Sequence, residues 1–411
     1  MYRIFLFILI IFFSCADSEN GFVKKEQVFI KFFGGLDNDA GAKVIELKGQ
    51  GYLILGTSTE SIVVGSNVQP SSIMIILTNY EGVTIWETEI RGIDGDYKAG
   101  SFILTDQQEI FVSGTVPETT SGIRTDLFMA KLNTNGDILW QKKIENPTFS
   151  ESAVEMIETN DNGLVIIGNT FLPNGNEINT STQDFYVVKT DKEGDIVWQR
   201  TYGFEEEKAD YGNAVVEADN GDFIWLGTTE KNNLGNQGFN SDMRVVRSNN
   251  IGNLIWDYLF GSEGNDFGNK AIKYFNEYLL VGAIGSTQTQ RSDVFLVKIN
   301  NDGQEIWTQR YGGDADDSAF DISPTEDGGF IITGFTFSYG NGKSDIFLIK
   351  TDFEGNLQWH TAIGGQGDDI GNSVIQTSDG GYLICGSIQF ENNKMICLIK
   401  TDKNGRTYSL D

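Results

Sequence analysis

The chain has 411 residues and carries 58 Asp and Glu against 30 Lys and Arg, a net charge of −28. An excess of that size repels nucleic acid and anionic membrane surfaces, and it suits a solvent-facing protein outside the cytoplasm. Forty-eight glycines and 12% aromatic residues fit an all-β protein rich in tight turns.

The chain opens "MYRIFLFILIIFFSCADSEN". Arg3 precedes an apolar run from Ile4 to Phe13 that is too short to span a bilayer as a helix. Ser14 stands directly before Cys15, and polar residues follow. This resembles a bacterial lipoprotein signal with its lipobox, although Phe12 occupies a place where leucine is commoner. The resemblance implies a signal over 1–15, a lipid on Cys15 and a polar tether over 16–26. It implies a cell-envelope, outer-membrane location, periplasmic or surface-exposed. Asp17 and Glu19 loosely resemble the surface-export signals of some Bacteroidota lipoproteins.

From residue 27 to 411 the chain reads as one domain that repeats itself. Asp or Asn followed three residues later by glycine recurs, with the glycine at Gly82, Gly136, Gly194, Gly252, Gly303, Gly355 and Gly405. Four residues beyond each of the first six stands a tryptophan: Trp86, Trp140, Trp198, Trp256, Trp307 and Trp359. Seven copies spaced 50 to 58 residues apart mark a repeat architecture. Each copy reads as four short strands; in the sixth they are "AFDISPT", "GGFIITG", "SDIFLIKTD" and "LQWHTAIGG". The second strand ends in glycine in every copy (Gly56, Gly114, Gly168, Gly227, Gly282, Gly334, Gly386). Its apolar run does not alternate, which predicts cover on both faces, as when sheets stack on sheets.

The recurring turn has a physical reading. Asp or Asn accepts nearby backbone amides at the start of a type I turn, and glycine takes the left-handed position that closes the hairpin. Tryptophan then begins the fourth strand, where its broad face covers the neighbouring sheet; one per repeat at a fixed phase speaks for packing over sugar stacking. The expected fold is all-β: a seven-bladed β-propeller of four-stranded blades. The stretch from Tyr311 to Gly365, "YGGDADDSAFDISPTEDGGFIITGFTFSYGNGKSDIFLIKTDFEGNLQWHTAIGG", resembles the propeller repeat common in secreted and lipid-anchored proteins of Bacteroidota. Its turn-and-tryptophan part is similar to the docking motif that locks adjacent blades in quinoprotein-type and WD40-like propellers. The first resemblance implies an architecture without a settled activity.

The seventh copy ends in "RTYSLD", without a tryptophan strand, while "FIKFFGG" from Phe29 to Gly35 aligns with "WTQRYGG" from Trp307 to Gly313. The N-terminal strand is therefore expected to close the ring as the outermost strand of the last blade, with Phe29 in place of tryptophan. Long connections at 57–72, 169–183 and 228–241 fall on the face opposite the tight hairpins, which makes that face the candidate binding surface.

The connections entering the blades carry Asp37, Asp39, Asp94, Asp96, Asp210, Asp266, Asp316, Asp317, Asp368 and Asp369. Each is expected to shape its own loop by accepting backbone N–H bonds, with Asp316–Asp317 and Asp368–Asp369 as the metal candidates, for calcium. His360, the only histidine, sits among polar equivalents and reads as a solvent-facing strand residue and not as a ligand, so neither a His-based zinc site nor a Ser-His-Asp triad is expected. Cys385 and Cys397 lie on neighbouring strands, as free thiols or as a disulfide. With no catalytic constellation in view, the chain is expected not to be an enzyme and to need no cofactor. It reads as a monomeric binding or scaffold module for a protein or a glycan, touching membrane through its lipid alone. The alternative is a calcium-assisted, carboxylate-based hydrolase or lyase acting on glycans at the channel mouth.

Overall fold

The computed structural model describes residues 27–408, apart from 36, 60–69, 93–94, 119–123, 146–148, 175–176, 204–207, 232–239 and 287. Cys15, the tether, Asp94 and much of the three long connections lie outside the described residues.

Twenty-eight strands form seven four-stranded antiparallel sheets. Six are single repeats. The seventh joins Ile370–Gln376, Tyr382–Phe390 and Asn393–Thr401 to the N-terminal strand Phe29–Phe33. Phe29 pairs with Lys400 and Phe32 with Cys397, so the ring closes through the start of the chain, as the sequence predicts. The middle strands are buried on both faces, as in Ser72–Thr78, because each sheet lies between two others. Fourth strands form the outer edge and alternate; Trp359 is half-buried while its neighbours Gln358 and His360 are exposed.

The blades are keyed together at the repeated turns. The turn glycines all have φ between +72° and +84°, where a side chain is strained. The tryptophan of the preceding blade also covers them: a Cβ on Gly355 would stand 2.8 Å from the Trp307 ring, and one on Gly405 2.6 Å from Trp359. Trp86 and Trp198 each donate their indole N–H, at 3.1 Å, to a carbonyl of the next turn, those of Thr134 and Asn250. At the seam Phe29 takes this place, 2.9 Å from a Cβ on Gly82.

A second device sits nearer the axis. Every first strand carries a register shift opposite the second-strand glycine, for example between Gly212 and Ala214 or between Gly268 and Lys270. This β-bulge pushes a carbonyl toward the glycine: a Cβ on Gly227 would lie 1.8 Å from the Tyr211 oxygen. The bulge also turns one side chain per blade toward the central channel.

Buried lysines tie three hairpins down. Lys189, Lys350 and Lys400 bond Asp161, Asp327 and Asp379 at 2.8, 2.8 and 2.9 Å. Each also donates to the carbonyl of the following threonine. Burial raises these carboxyls, but the ammonium and hydroxyl donors outweigh it: Asp161 falls to about 2, and Asp327 and Asp379 fall as well.

Cys385 pairs with Leu398 and Cys397 with Gly386, so the two thiols project to opposite faces of the sheet and remain free. Burial pushes the Cys385 thiol up to about 12, which makes it inert.

Candidate functional site

The aspartates of the acidic connections are held by their own loops or by neighbouring strands. Asp39 accepts Gly35 N–H at 2.6 Å and Thr59 N–H at 2.7 Å; Asp369 accepts Gly365 N–H at 2.6 Å and Gln389 N–H at 2.8 Å. Asp317 takes Gly313 N–H and the Ser338 hydroxyl at 2.9 and 2.7 Å, and Asp210 pairs with Arg244 at 3.0 Å. The proposed metal pairs do not converge. Asp316 accepts Ser292 N–H and Asp368 pairs with Lys343. Among the described residues no group of three or more His, Cys, Asp or Glu could hold a metal ion. His360 is exposed, its ring 4.5 Å from that of Tyr339.

These aspartates face a second set from the third strands. A Cβ on Gly312 would lie 2.3 Å from Asp293 Oδ1 and 2.7 Å from Asp317 Oδ2, and Gly364 separates Asp345 from Asp369 in the same way. Burial, reinforced by the facing carboxylate, raises Asp293 and Asp345 above the usual range. Asp39, Asp242 and Asp266 are raised too, chiefly by burial.

These raised carboxyls and the lowered hairpin carboxyls Asp161, Asp327 and Asp379 work in opposite directions with pH. A lowered carboxyl stabilises the fold above its unfolded value, and that is lost as pH falls through the folded one. A raised carboxyl takes up its proton more readily in the folded protein, so stability grows as pH falls toward the unfolded value, about 4. The thermal midpoint is expected to rise from pH 8 into mild acid and to fall below about pH 4. A midpoint that only declines below pH 7 contradicts this account.

The channel mouth on the loop-bearing face holds a different chemistry. Tyr211, Asn213, Thr228, Glu230, Asn265 and Phe267 lie in one pocket of about 410 Å³, where the fourth and fifth blades meet. The Asp266 N–H donates to Ser241 O at 2.9 Å and Gly268 N–H to Thr228 Oγ1 at 3.2 Å, which docks the fifth blade's first strand on the fourth blade. Phe267 keeps 41% of its surface exposed. Tyr211 donates its hydroxyl to Glu230 Oε1 at 3.3 Å. Burial first, and the negative charge of Glu230 second, raise the Tyr211 phenol.

Sequence reasoning missed this pocket, yet a signal was present. In register with Tyr211 and Phe267, two residues ahead of each first-strand bulge, the other blades carry Ala40, Lys98, Ser152, Ser318 and Ile370. Only adjacent blades four and five put an aromatic ring there.

Fold and sheet order define a seven-bladed β-propeller. No family model matches the chain, and comparison with curated proteins gives no match. Solved structures do match. The phage phi92 endosialidase is similar at TM-score 0.52 and 11% identity, over 93% of this chain and 70% of that one. A Dyadobacter fermentans protein of unknown function is similar at TM-score 0.51 and 10% identity, over 74% and 94%. A Penicillium chrysogenum alpha-L-arabinanase complexed with arabinobiose matches at TM-score 0.48 and 12% identity, over 89% and 93%. At these identities the likeness is one of fold. It corrects the expectation that the chain is not an enzyme. The phi92 endosialidase has a similar fold, so the lack of a visible catalytic constellation in the sequence does not make the chain a non-enzyme.

Proposed function

We propose that the protein binds carbohydrate at the loop-bearing mouth of its channel, between the fourth and fifth blades. The observation that carries this reading is the pairing of Tyr211 and Phe267 with amide and carboxylate side chains in one pocket. A sugar ring offers an apolar C–H face and a rim of hydroxyls. Aromatic rings suit the face, while Asn213, Asn265, Asn269 and Glu230 offer planar donors and acceptors to the rim. Nucleobases have similar needs, but the net charge of −28 opposes their phosphates.

The lipid anchor at Cys15 belongs to the same proposal. Phe29 pairs near the end of Asn393–Thr401 and packs on a tight hairpin, so the chain enters the ring on the hairpin face. A tether there leaves the mouth pointing away from the membrane.

The test is a glycan array read with the wild-type chain and with Tyr211→Ala and Phe267→Ala. Each substitution is expected to weaken any hit by about tenfold or more, at roughly 1–3 kcal/mol per stacked ring. A hit unmoved by both overturns the reading. Cleavage of the bound glycan is a second reading, favoured by the Tyr211–Glu230 contact, since a tyrosine serves as nucleophile in some glycosidases. Release of new reducing ends, abolished by Tyr211→Phe, would establish it; an unchanged glycan after prolonged incubation would remove it.

A further inference from the structure

Below the mouth the channel holds a well of about 310 Å³, lined by Lys43, Ser101, Asn213, Asn269, Lys270 and Asn372. Asn213 and Asn269 also line the mouth pocket, so the two spaces are contiguous. Three amides are held across blade boundaries: Asn213, Asn269 and Asn372 donate at 2.7 Å to the carbonyls of Gly268, Ala319 and Gly41. Lys43, Glu155 and Lys270 border both the well and a recess on the hairpin side, and so form the floor between them.

The charges on this floor are unequally engaged. Lys270 of the fifth blade is ion-paired with Glu155 of the third, reaching past the fourth, whose Ala214 is small. Glu155 also accepts Val215 N–H at 3.1 Å. Asp321 holds Ile322 N–H and Val374 N–H, each at 2.9 Å. Lys43 donates to the Ser101 hydroxyl at 3.0 Å, and among the described residues no carboxylate lies within ion-pair distance of it. Lys43 lines the well, and of the three donors of its ammonium the Ser101 hydroxyl engages one. The Lys43 side chain is half-buried on the wall of the well, where an entering anion would meet its charge.

We propose that the well is an anion subsite of the mouth, in which Lys43 receives the carboxylate of an acidic sugar whose chain continues against Tyr211 and Phe267. This rests on the carbohydrate reading and narrows it to uronate-type glycans. A hydroxyl would satisfy the hydrogen bonds of Lys43 but not its charge, whereas a carboxylate satisfies both. Asn213, Asn269 and Asn372 serve the ring hydroxyls without adding charge. Burial lowers the Lys43 pKa from its ordinary value, with Asp321 pulling the other way; alongside, burial and then the Lys43 charge bring Lys270, ion-paired with Glu155, down to about 8. Carboxylate binding draws a proton onto Lys43, so the preference for acid over neutral sugar weakens as pH rises toward 10.

The experiment titrates the wild-type chain with D-glucuronate and with D-glucose, followed by NMR. Glucuronate is expected to bind at least tenfold more tightly. Lys43→Met brings that ratio to near one by weakening glucuronate far more than glucose, and Lys43→Arg retains it. In the wild-type chain, whatever the variants do, the ratio falls steadily between pH 7 and pH 10. A wild-type ratio near one with both sugars bound overturns the subsite and leaves the carbohydrate reading standing. A ratio insensitive to Lys43→Met, or flat with pH, also overturns the subsite. If neither sugar binds, both readings fall.

Discussion

Deletion of Phe29–Phe33 is expected to abolish the single cooperative unfolding transition of the ring. The strand contributes five residue pairs along Asn393–Thr401 and the aromatic cover of Gly82. Without it the seventh sheet presents an open edge beside the buried Ile396 and Leu398, and aggregation should follow. Phe29→Ala isolates the ring-to-glycine contact. Since Phe29 is only half-buried, the loss should be about 2 kcal/mol, below the 3–5 kcal/mol of a fully buried aromatic. Phe29→Trp should be tolerated, because tryptophan fills this place at the other six interfaces. Urea midpoints of the three variants decide it; a deletion that unfolds like wild type would mean the ring does not depend on its seam.

Gly227→Val is expected to be worse than any surface change, costing more than about 4 kcal/mol or leaving no soluble protein. The added carbon would overlap the Tyr211 carbonyl at 1.8 Å and the Phe185 ring at 2.6 Å, so the bulge that aims Asn213 at the channel must move. Gly221→Ala is the contrast. It sits in an open hairpin at φ +81° with its nearest neighbour 3.8 Å away, so only the backbone term of about 1 kcal/mol applies. Equal effects at the two positions would show that the glycine marks a flexible turn and not a crowded bulge. Because Tyr211 supplies the clashing carbonyl, partial folding of Gly227→Val should also cost glycan binding.

The architecture was readable because it is written seven times. The spacing of the turn glycines gives the blade count, and the missing tryptophan strand after Gly405 reappears at Phe29. The site was not readable in the same way. Tyr211 and Phe267 each look like an ordinary first-strand residue, and they meet only because consecutive blades lie side by side around an axis. Lys43, Glu155, Lys270 and Asp321 come from four repeats and are turned inward by bulges, which leave no trace in hydropathy. The connection aspartates stand out more plainly along the chain, yet Asp39 and Asp369 engage backbone amides of their own loops. The expectation of a non-enzyme rested on no catalytic constellation being visible along the chain, and the fold's likeness to an endosialidase corrects that inference.

The most direct test is a crystal structure of the wild-type chain grown with an acidic oligosaccharide that it binds in solution. The account predicts a sugar ring within about 4 Å of the Tyr211 or Phe267 face, with its neighbour directed toward the channel. Sugar bound anywhere else on the ring, with the mouth between the fourth and fifth blades filled by solvent alone, would contradict it.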